Sequence, residues 1–257
     1  RQMARIRQET NVAFDFLDKG ILHIFGSKKD FDHAKRQNEF QEKYGCSQRV
    51  LSRGECLMME PALHETSRGI VGGIHSFMDE SGDAYLFCNA LAKFATERYG
   101  AEFRYGVTIE NIRSEKGRIA CVKTSAGEMT ADAYVMAMGS YSAIFMRRLG
   151  QPIPVYPMKG YSITLPANEF SPQLSITDGQ YKIVFSRLGA RLRVAGTAEF
   201  AGHNDAINEK RITPIVRAAR SLFPKAPWHE PIDKWACLRP STPDGPPIMG
   251  KTAFANL

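Results

Sequence analysis

Arg239 lies where the chain changes character. The run Trp235-Ala-Cys-Leu-Arg-Pro-Ser-Thr-Pro-Asp-Gly-Pro-Pro-Ile-Met-Gly250 passes from an apolar strand pattern into a stretch of turn formers. Proline fixes φ and glycine admits bends closed to other residues, so the backbone there is sharply constrained. A guanidinium mounted on such a turn is pre-organised to hold a planar carboxylate through two parallel hydrogen bonds.

Three further segments carry chemically useful groups. In Val155-Tyr-Pro-Met-Lys-Gly-Tyr-Ser-Ile-Thr164, Lys159 offers a cation to an electron-rich ligand and Tyr161 an aromatic wall. A strand entry kinked at Pro157, with Lys159 in solvent, accounts for the same residues. The stretch from Asp178 to Arg187, followed by Arg191 to Phe200, reads as a β-hairpin whose loop includes Gly189. Alternation places Tyr181, Ile183 and Phe185 on one face and Lys182 and Val184 on the other. Tyrosine on a strand is ordinarily packing. Ala131 to Ser142 reads as an apolar strand running into a turn at Gly139 and then a helix. Such a turn lets backbone approach a ligand, and the helix N-terminus favours an anion. A buried strand closed by a glycine turn fits equally well.

The elements that must position these groups can be read in outline. Residues 1–18 carry a helical pattern, and Ile21 to Phe25 alternates as a strand. Ser27 and Gly45 bracket a charged helix as N-cap and C-cap, and Ser52 with Glu55 has capping-box spacing. Gly69 to Phe77 reads as a strand. The acidic turn Asp79 to Asp83 reads as the cap of a helix over 84–99 rather than a metal site, with Phe87, Leu91, Phe94 and Ala95 as its buried stripe. Strands are expected at 103–105, 108–114, 119–124, 131–137, 161–165, 181–186, 191–195 and 232–238, and helices at 140–149 and 208–223. The middle lacks regular βαβ alternation. That favours an α+β layer with antiparallel pairing, inserted into or beside an α/β unit.

Composition narrows the function. The 257 residues are 43% hydrophobic and 24% charged, as in ordinary globular protein, and suffice for one large or two smaller domains. The net charge of +7 is spread along the chain without a Lys/Arg block, zinc-finger spacing or RNA-binding aromatic motif, so nucleic acid is not an expected partner. The five cysteines are odd in number with no CxxC pair, and the six histidines form no HxxxH pattern. No disulfide framework, metal site or cysteine nucleophile is therefore expected, and a reducing compartment is. No apolar stretch approaches the roughly 18 residues of a membrane span, and no signal peptide is recognisable. The chain opens at Arg1 within a helical pattern and closes directly after the proline-rich motif, which reads as a fragment of a longer protein.

The Trp235–Gly250 run resembles the end of the substrate domain in flavin-dependent amine oxidoreductases of the D-amino-acid oxidase superfamily. The order Pro-x-Lys-Gly-Tyr-Ser-Ile-Thr at 157–164 and the pattern Arg-x-Arg-Val-x-Gly-x-x-Glu at 191–199 are similar to those of D-amino acid dehydrogenase small subunits. The resemblance runs from about Phe14 to Leu257. It implies an α+β chain with part of an α/β FAD-binding domain and an antiparallel-sheet substrate domain. On that plan residues 1–78 and 151–233 belong to the substrate domain, and 79–150 and 234–257 to the FAD-binding domain. It implies FAD as cofactor, with Val107 at the adenine and Ala137, Met138 and Gly139 in the turn beneath the flavin. It implies Arg239 as the carboxylate anchor, Tyr161 and Tyr181 as pocket walls and Lys159 near the flavin. The implied reaction is oxidative deamination of a D-amino acid to a 2-oxo acid and ammonia. A respiratory-chain electron acceptor and a cytoplasmic protein, peripheral to the inner face of the bacterial inner membrane, are also implied. A glycine- or sarcosine-type amine oxidase, or a binding fragment without flavin, are the alternatives. Two family features are missing from the 257 residues: the GxGxxG phosphate loop and the glycine-rich segment after the Pro-Asp-Gly motif.

Overall fold

Local sequence signals account for most of the element ends. A computed structural model describes residues 2–257 of the chain. Helix α1 (Gln2–Thr10) is followed by β1 (Ile21–Phe25) and α2 (Lys28–Glu42). The expected helix over 1–18 stops at Thr10 because Asn11 and Asp15 adopt φ of +49° and +52°. Short polar side chains tolerate that conformation, and it ends a right-handed helix. Ser27 caps α2 by accepting from the Asp30 N–H, whereas the helix ends at Lys43 rather than Gly45. Strand β2 (Arg49–Ser52) leads into α3 (Arg53–Met59), and Ser52 and Glu55 form the full capping box. After a 3-10 turn at Pro61–Glu65, β3 (Gly72–Ser76) precedes α4 (Ala84–Tyr99), which Asp83 caps through the N–H groups of Tyr85 and Leu86. The apolar stripe of α4 is only half-buried, against expectation: none of its residues reaches full burial.

Strands β4 (Ile109–Glu115), β5 (Arg118–Thr124) and β6 (Gly127–Met129) form a three-stranded antiparallel sheet. Lys116 and Gly117, at φ of +49° and +74°, make the two-residue turn between the first two. Helix α5 (Ser142–Arg148) follows a 3-10 turn over Gly139–Tyr141. Then come β7 (Tyr156–Pro166), β8 (Ser175–Asp178), β9 (Ile183–Leu188), β10 (Arg191–Phe200), α6 (Glu209–Leu222) and β11 (Asp233–Ser241). An eight-stranded sheet has the order β11-β7-β10-β9-β8-β1-β3-β2, with β1 parallel to β8 and antiparallel to β3.

Two expected strands are not formed. Residues 103–105 run into a turn at Tyr105 and Gly106. Among the described residues, 131–137 pair with no strand: the Tyr134 N–H donates to the Asn256 carbonyl at 2.8 Å, and Val135 is 90% exposed. An apolar run becomes a strand only where a ladder partner takes its N–H and C=O groups.

Two compact units result. The first comprises Arg1–Ala101, Tyr161–Thr197 and Ile207–Ala236, and the second Glu102–Gly160, Ala198–Ala206 and Cys237–Leu257. Helix α4 thus groups with the first unit, whereas the sequence plan places residues 79–150 in the FAD-binding domain. The first unit holds the main core, where Ile163, Leu165, Ile176, Phe185 and Leu192 of the sheet meet Ile215, Ala219 and Leu222 on one face of α6. In the second unit Asn256 grips β5 by accepting from the Ile119 N–H at 2.8 Å and donating to its carbonyl at 3.1 Å. Among the described residues no helix is long and apolar enough to cross a membrane.

Candidate functional site

In the second unit a cavity of about 670 Å3 opens beside the turn that starts at Gly139. Ala137, Gly139 and Ser142 line one part of it, and Pro240, Thr242 and the segment from Pro247 to Thr252 another. Gly139 has φ of +55°, and a Cβ placed on it would meet nothing nearer than Pro240 Cγ at 4.0 Å. Backbone is therefore bare to the cavity at this point, which is what close approach of a flat ring or a phosphate requires. The proline-rich turn is closed by the Thr242 hydroxyl donating to the Pro246 carbonyl at 2.8 Å.

The four expected cofactor contacts separate. Ala137 and Gly139 share the large cavity, while Met138 lines a smaller one of about 90 Å3 with Ile112, Val122 and Leu257. Val107 is half-buried in the loop before β4 and lines neither cavity. Size, a bare-backbone turn and a largely aliphatic wall fit part of a flavin nucleotide. A phosphate-cradling GxGxxG loop does not occur in these residues.

Arg239 projects from β11 and is exposed. Its Cδ lies 3.7 Å from where a Cβ on Gly160 would sit, so the bare glycine of β7 leaves room for the arginine stem. Among the described residues no carboxylate lies within ion-pair distance of it, which leaves its fork available to a ligand. On β7, Lys159 is not the solvated lysine of the simpler reading: it is 2% exposed, with Nζ 3.7 Å from Glu199 Oε2 on β10. A buried ammonium is tolerated only with such a counter-charge.

Tyr161 and Tyr181 belong to the first unit and have different surroundings. Tyr161 is 2% exposed and packs in the main core. Tyr181 precedes β9 and is 50% exposed. It sits on a tight loop built by Asp178, whose Oδ1 accepts from the N–H groups of Gln180 (2.9 Å) and Tyr181 (3.3 Å). The Arg68 guanidinium pairs with the buried Asp178, donates to Gln180 Oε1 at 3.0 Å and stacks 4.2 Å from the centroid of the Tyr181 ring. Sequence reasoning missed two residues: Arg68, beside Tyr181, and Glu199, beside Lys159. Glu199 had a signal, as the end of the Arg-x-Arg-Val-x-Gly-x-x-Glu pattern; Arg68, 110 residues from Asp178, had none.

Comparison with known proteins places these features in a family. Residues 1–257 match the FAD dependent oxidoreductase (DAO) family. A D-amino acid dehydrogenase of Methylobacterium nodulans is 44% identical over 99% of this chain and 61% of its own length. One of Granulibacter bethesdensis is 38% identical over 100% of this chain and 62% of its length. The chain thus spans about 61% of the first of these relatives. Among solved structures, glycine oxidase from Geobacillus kaustophilus superposes with a TM-score of 0.85 at 24% identity, covering 97% of this chain and 66% of that one. L-proline dehydrogenase from P. horikoshii superposes at 0.84 and 19% identity, covering 98% and 68%. Their likeness establishes the fold, a mixed α/β architecture with a largely antiparallel sheet. With its entire length matched, the chain belongs to the FAD dependent oxidoreductase family.

Proposed function

We propose that the protein carrying this chain is an FAD-dependent D-amino acid dehydrogenase, which converts D-amino acids to 2-oxo acids and ammonia. One observation carries the reading: Arg239, the residue the sequence marks for a carboxylate, stands exposed on β11 with no carboxylate of the described residues paired to it. The 44% identity to a D-amino acid dehydrogenase supports the choice of substrate class.

In this reading Arg239 takes the substrate carboxylate through both arms of its fork and so fixes the α-carbon. Tyr181 gives the substrate side chain an aromatic surface, and Tyr161 braces the strand that carries Lys159. Lys159, with Glu199 Oε2 3.7 Å from its Nζ, offers a cation to the cofactor ring. Ala137, Met138 and Gly139 supply the turn that FAD rests on, and Val107 supplies backbone for its adenine. Bound FAD provides the two-electron acceptor that oxidative deamination needs. The amine reacts neutral, so no side-chain base is assigned. The division of labour follows the sequence plan, with 1–78 and 151–233 serving substrate and 79–150 and 234–257 serving FAD. Electrons pass onward to a respiratory chain, with the protein peripheral to the inner face of the bacterial inner membrane. The net charge of +7 is compatible with such an anionic surface.

The test is turnover by the full-length protein loaded with FAD. Reduction of an artificial dye by D-amino acids, little oxygen uptake and no response to the L-enantiomers are expected. Oxygen-dependent turnover of glycine or sarcosine would instead identify an amine oxidase, and a colourless protein after mixing with FAD and desalting would identify a binding protein without flavin.

A further inference from the structure

We infer that Arg68 is a positioning residue that sets side-chain selectivity by clamping the Tyr181 loop. The inference rests on the reading of Tyr181 as a surface for the substrate side chain. Residues 178–182 form a short bend before β9, and three separate interactions converge on it from Arg68. One arm of the guanidinium pairs with Asp178, which is 1% exposed. The other donates to Gln180 Oε1 at 3.0 Å. The guanidinium plane covers the Tyr181 ring at 4.2 Å from its centroid.

Asp178 transmits the hold. It accepts from the N–H groups of Gln180 and Tyr181 with its side chain, and its carbonyl accepts from the Lys182 N–H at 2.9 Å. Lys182 closes the bend at φ of +55°, a conformation that a lysine adopts only under constraint. Tyr181 therefore has one ring face occupied by a cation while half of its surface stays open. An exposed tyrosine without such a clamp would sample several rotamers, and a ligand would have to order it on binding. A ring held in place favours substrates large enough to reach it, so the clamp bears on long and aromatic side chains and is nearly irrelevant to a methyl group.

The full-length, FAD-loaded protein tests this with D-phenylalanine and D-alanine. Arg68→Met alone leaves the buried Asp178 charge unpaired and endangers folding. The double variant Arg68→Met with Asp178→Asn removes both charges yet keeps an acceptor for the loop N–H groups. KM for D-phenylalanine should rise about 5- to 10-fold, that for D-alanine less than about 2-fold, and kcat should hold for both. Trypsin should cleave after Lys182 faster than in the parent. Tyr181→Ala should produce the same KM split, and adding it to the double variant should produce no further rise, because residues acting through one contact are not additive. Arg68→Lys, which keeps the cation but not the fork, should recover part of the selectivity.

If Tyr181→Ala shifts the KM ratio while the double variant leaves both the ratio and the cleavage rate unchanged, the clamp is overturned and the reading of Tyr181 stands. If Tyr181→Ala leaves both KM values unchanged while D-amino acids are still oxidised, Tyr181 does not meet the substrate and the inference falls with that assignment.

Discussion

Replacing Arg239 with lysine isolates the fork from the charge. Arg239 is exposed and none of the described carboxylates pairs with it, so the change breaks no ion pair among them. The lysine stem can follow the same path over Gly160, where a Cβ would come 3.7 Å from the arginine Cδ. Stability should therefore move by no more than about 0.5 kcal/mol. In the role proposed for Arg239, the substrate carboxylate would lose one of two charge-assisted hydrogen bonds, worth about 2 kcal/mol, which corresponds to roughly a 30-fold rise in KM. Arg239→Met loses both, about 4 kcal/mol, or close to 1,000-fold. Because the carboxylate is held alike in the ground state and the transition state, kcat should change little. The assay is steady-state dye reduction with D-alanine, alongside the matching amine without a carboxylate. The amine, which Arg239 cannot hold, should react equally poorly with parent and variants. A lysine variant whose KM for D-alanine stays within twofold of the parent would show that Arg239 does not anchor the carboxylate.

Two further predictions concern what holds the scaffold. Glu60 is fully buried, and its carboxylate accepts from the N–H groups of Gln173 (2.6 Å), Leu174 (2.9 Å) and Ala62 (3.2 Å). Glu60→Ala strands those donors and should cost about 3 kcal/mol or more in urea unfolding of the full-length protein; a loss below about 1 kcal/mol would show that water replaces the carboxylate there. At Asp83, burial pushes the carboxyl up, but the N–H groups of Leu86 and Tyr85 and the Arg191 guanidinium together outweigh it and leave the pKa below the usual 3.8. A depressed carboxyl stabilises the fold above its unfolded pKa and loses that contribution as pH falls through the folded value. Tm should therefore drop more steeply below about pH 4 in the parent than in Asp83→Asn, and parallel curves in that window would count against the coupling.

What was legible in the sequence was local chemistry. The Ser52–Glu55 capping box and the Ser27 and Asp83 caps each depend on groups within a few residues, and each is formed. The apolar run 131–137 shows the limit. Its composition calls for a strand, but a strand exists only by pairing, and its one ladder-like bond runs to Asn256. The partners of Tyr181 were invisible for the same reason, since a cation–π contact from Arg68 to a loop more than 100 residues on leaves no periodicity behind.

The Lys159–Glu199 pair combines both cases. Along β7 the residues Lys159, Tyr161, Ile163 and Leu165 alternate onto the buried face, as the period of two requires. Along β10, Leu192 and Val194 are buried, and strict alternation from them would point Ala198, not Glu199, the same way. Thr197 breaks the alternation: its φ of +63° is rare for a β-branched residue, and beyond it Glu199 rather than Ala198 is the half-buried side chain. Glu199 Oε2 lies 3.7 Å from Nζ of Lys159, which is 2% exposed. Binary patterning could not have found the pair, because the pattern is correct on each strand until the backbone departs from it. The left-handed backbone at Thr197 costs energy and the counter-charge that Glu199 brings to Lys159 is favourable, so the second offsets the first.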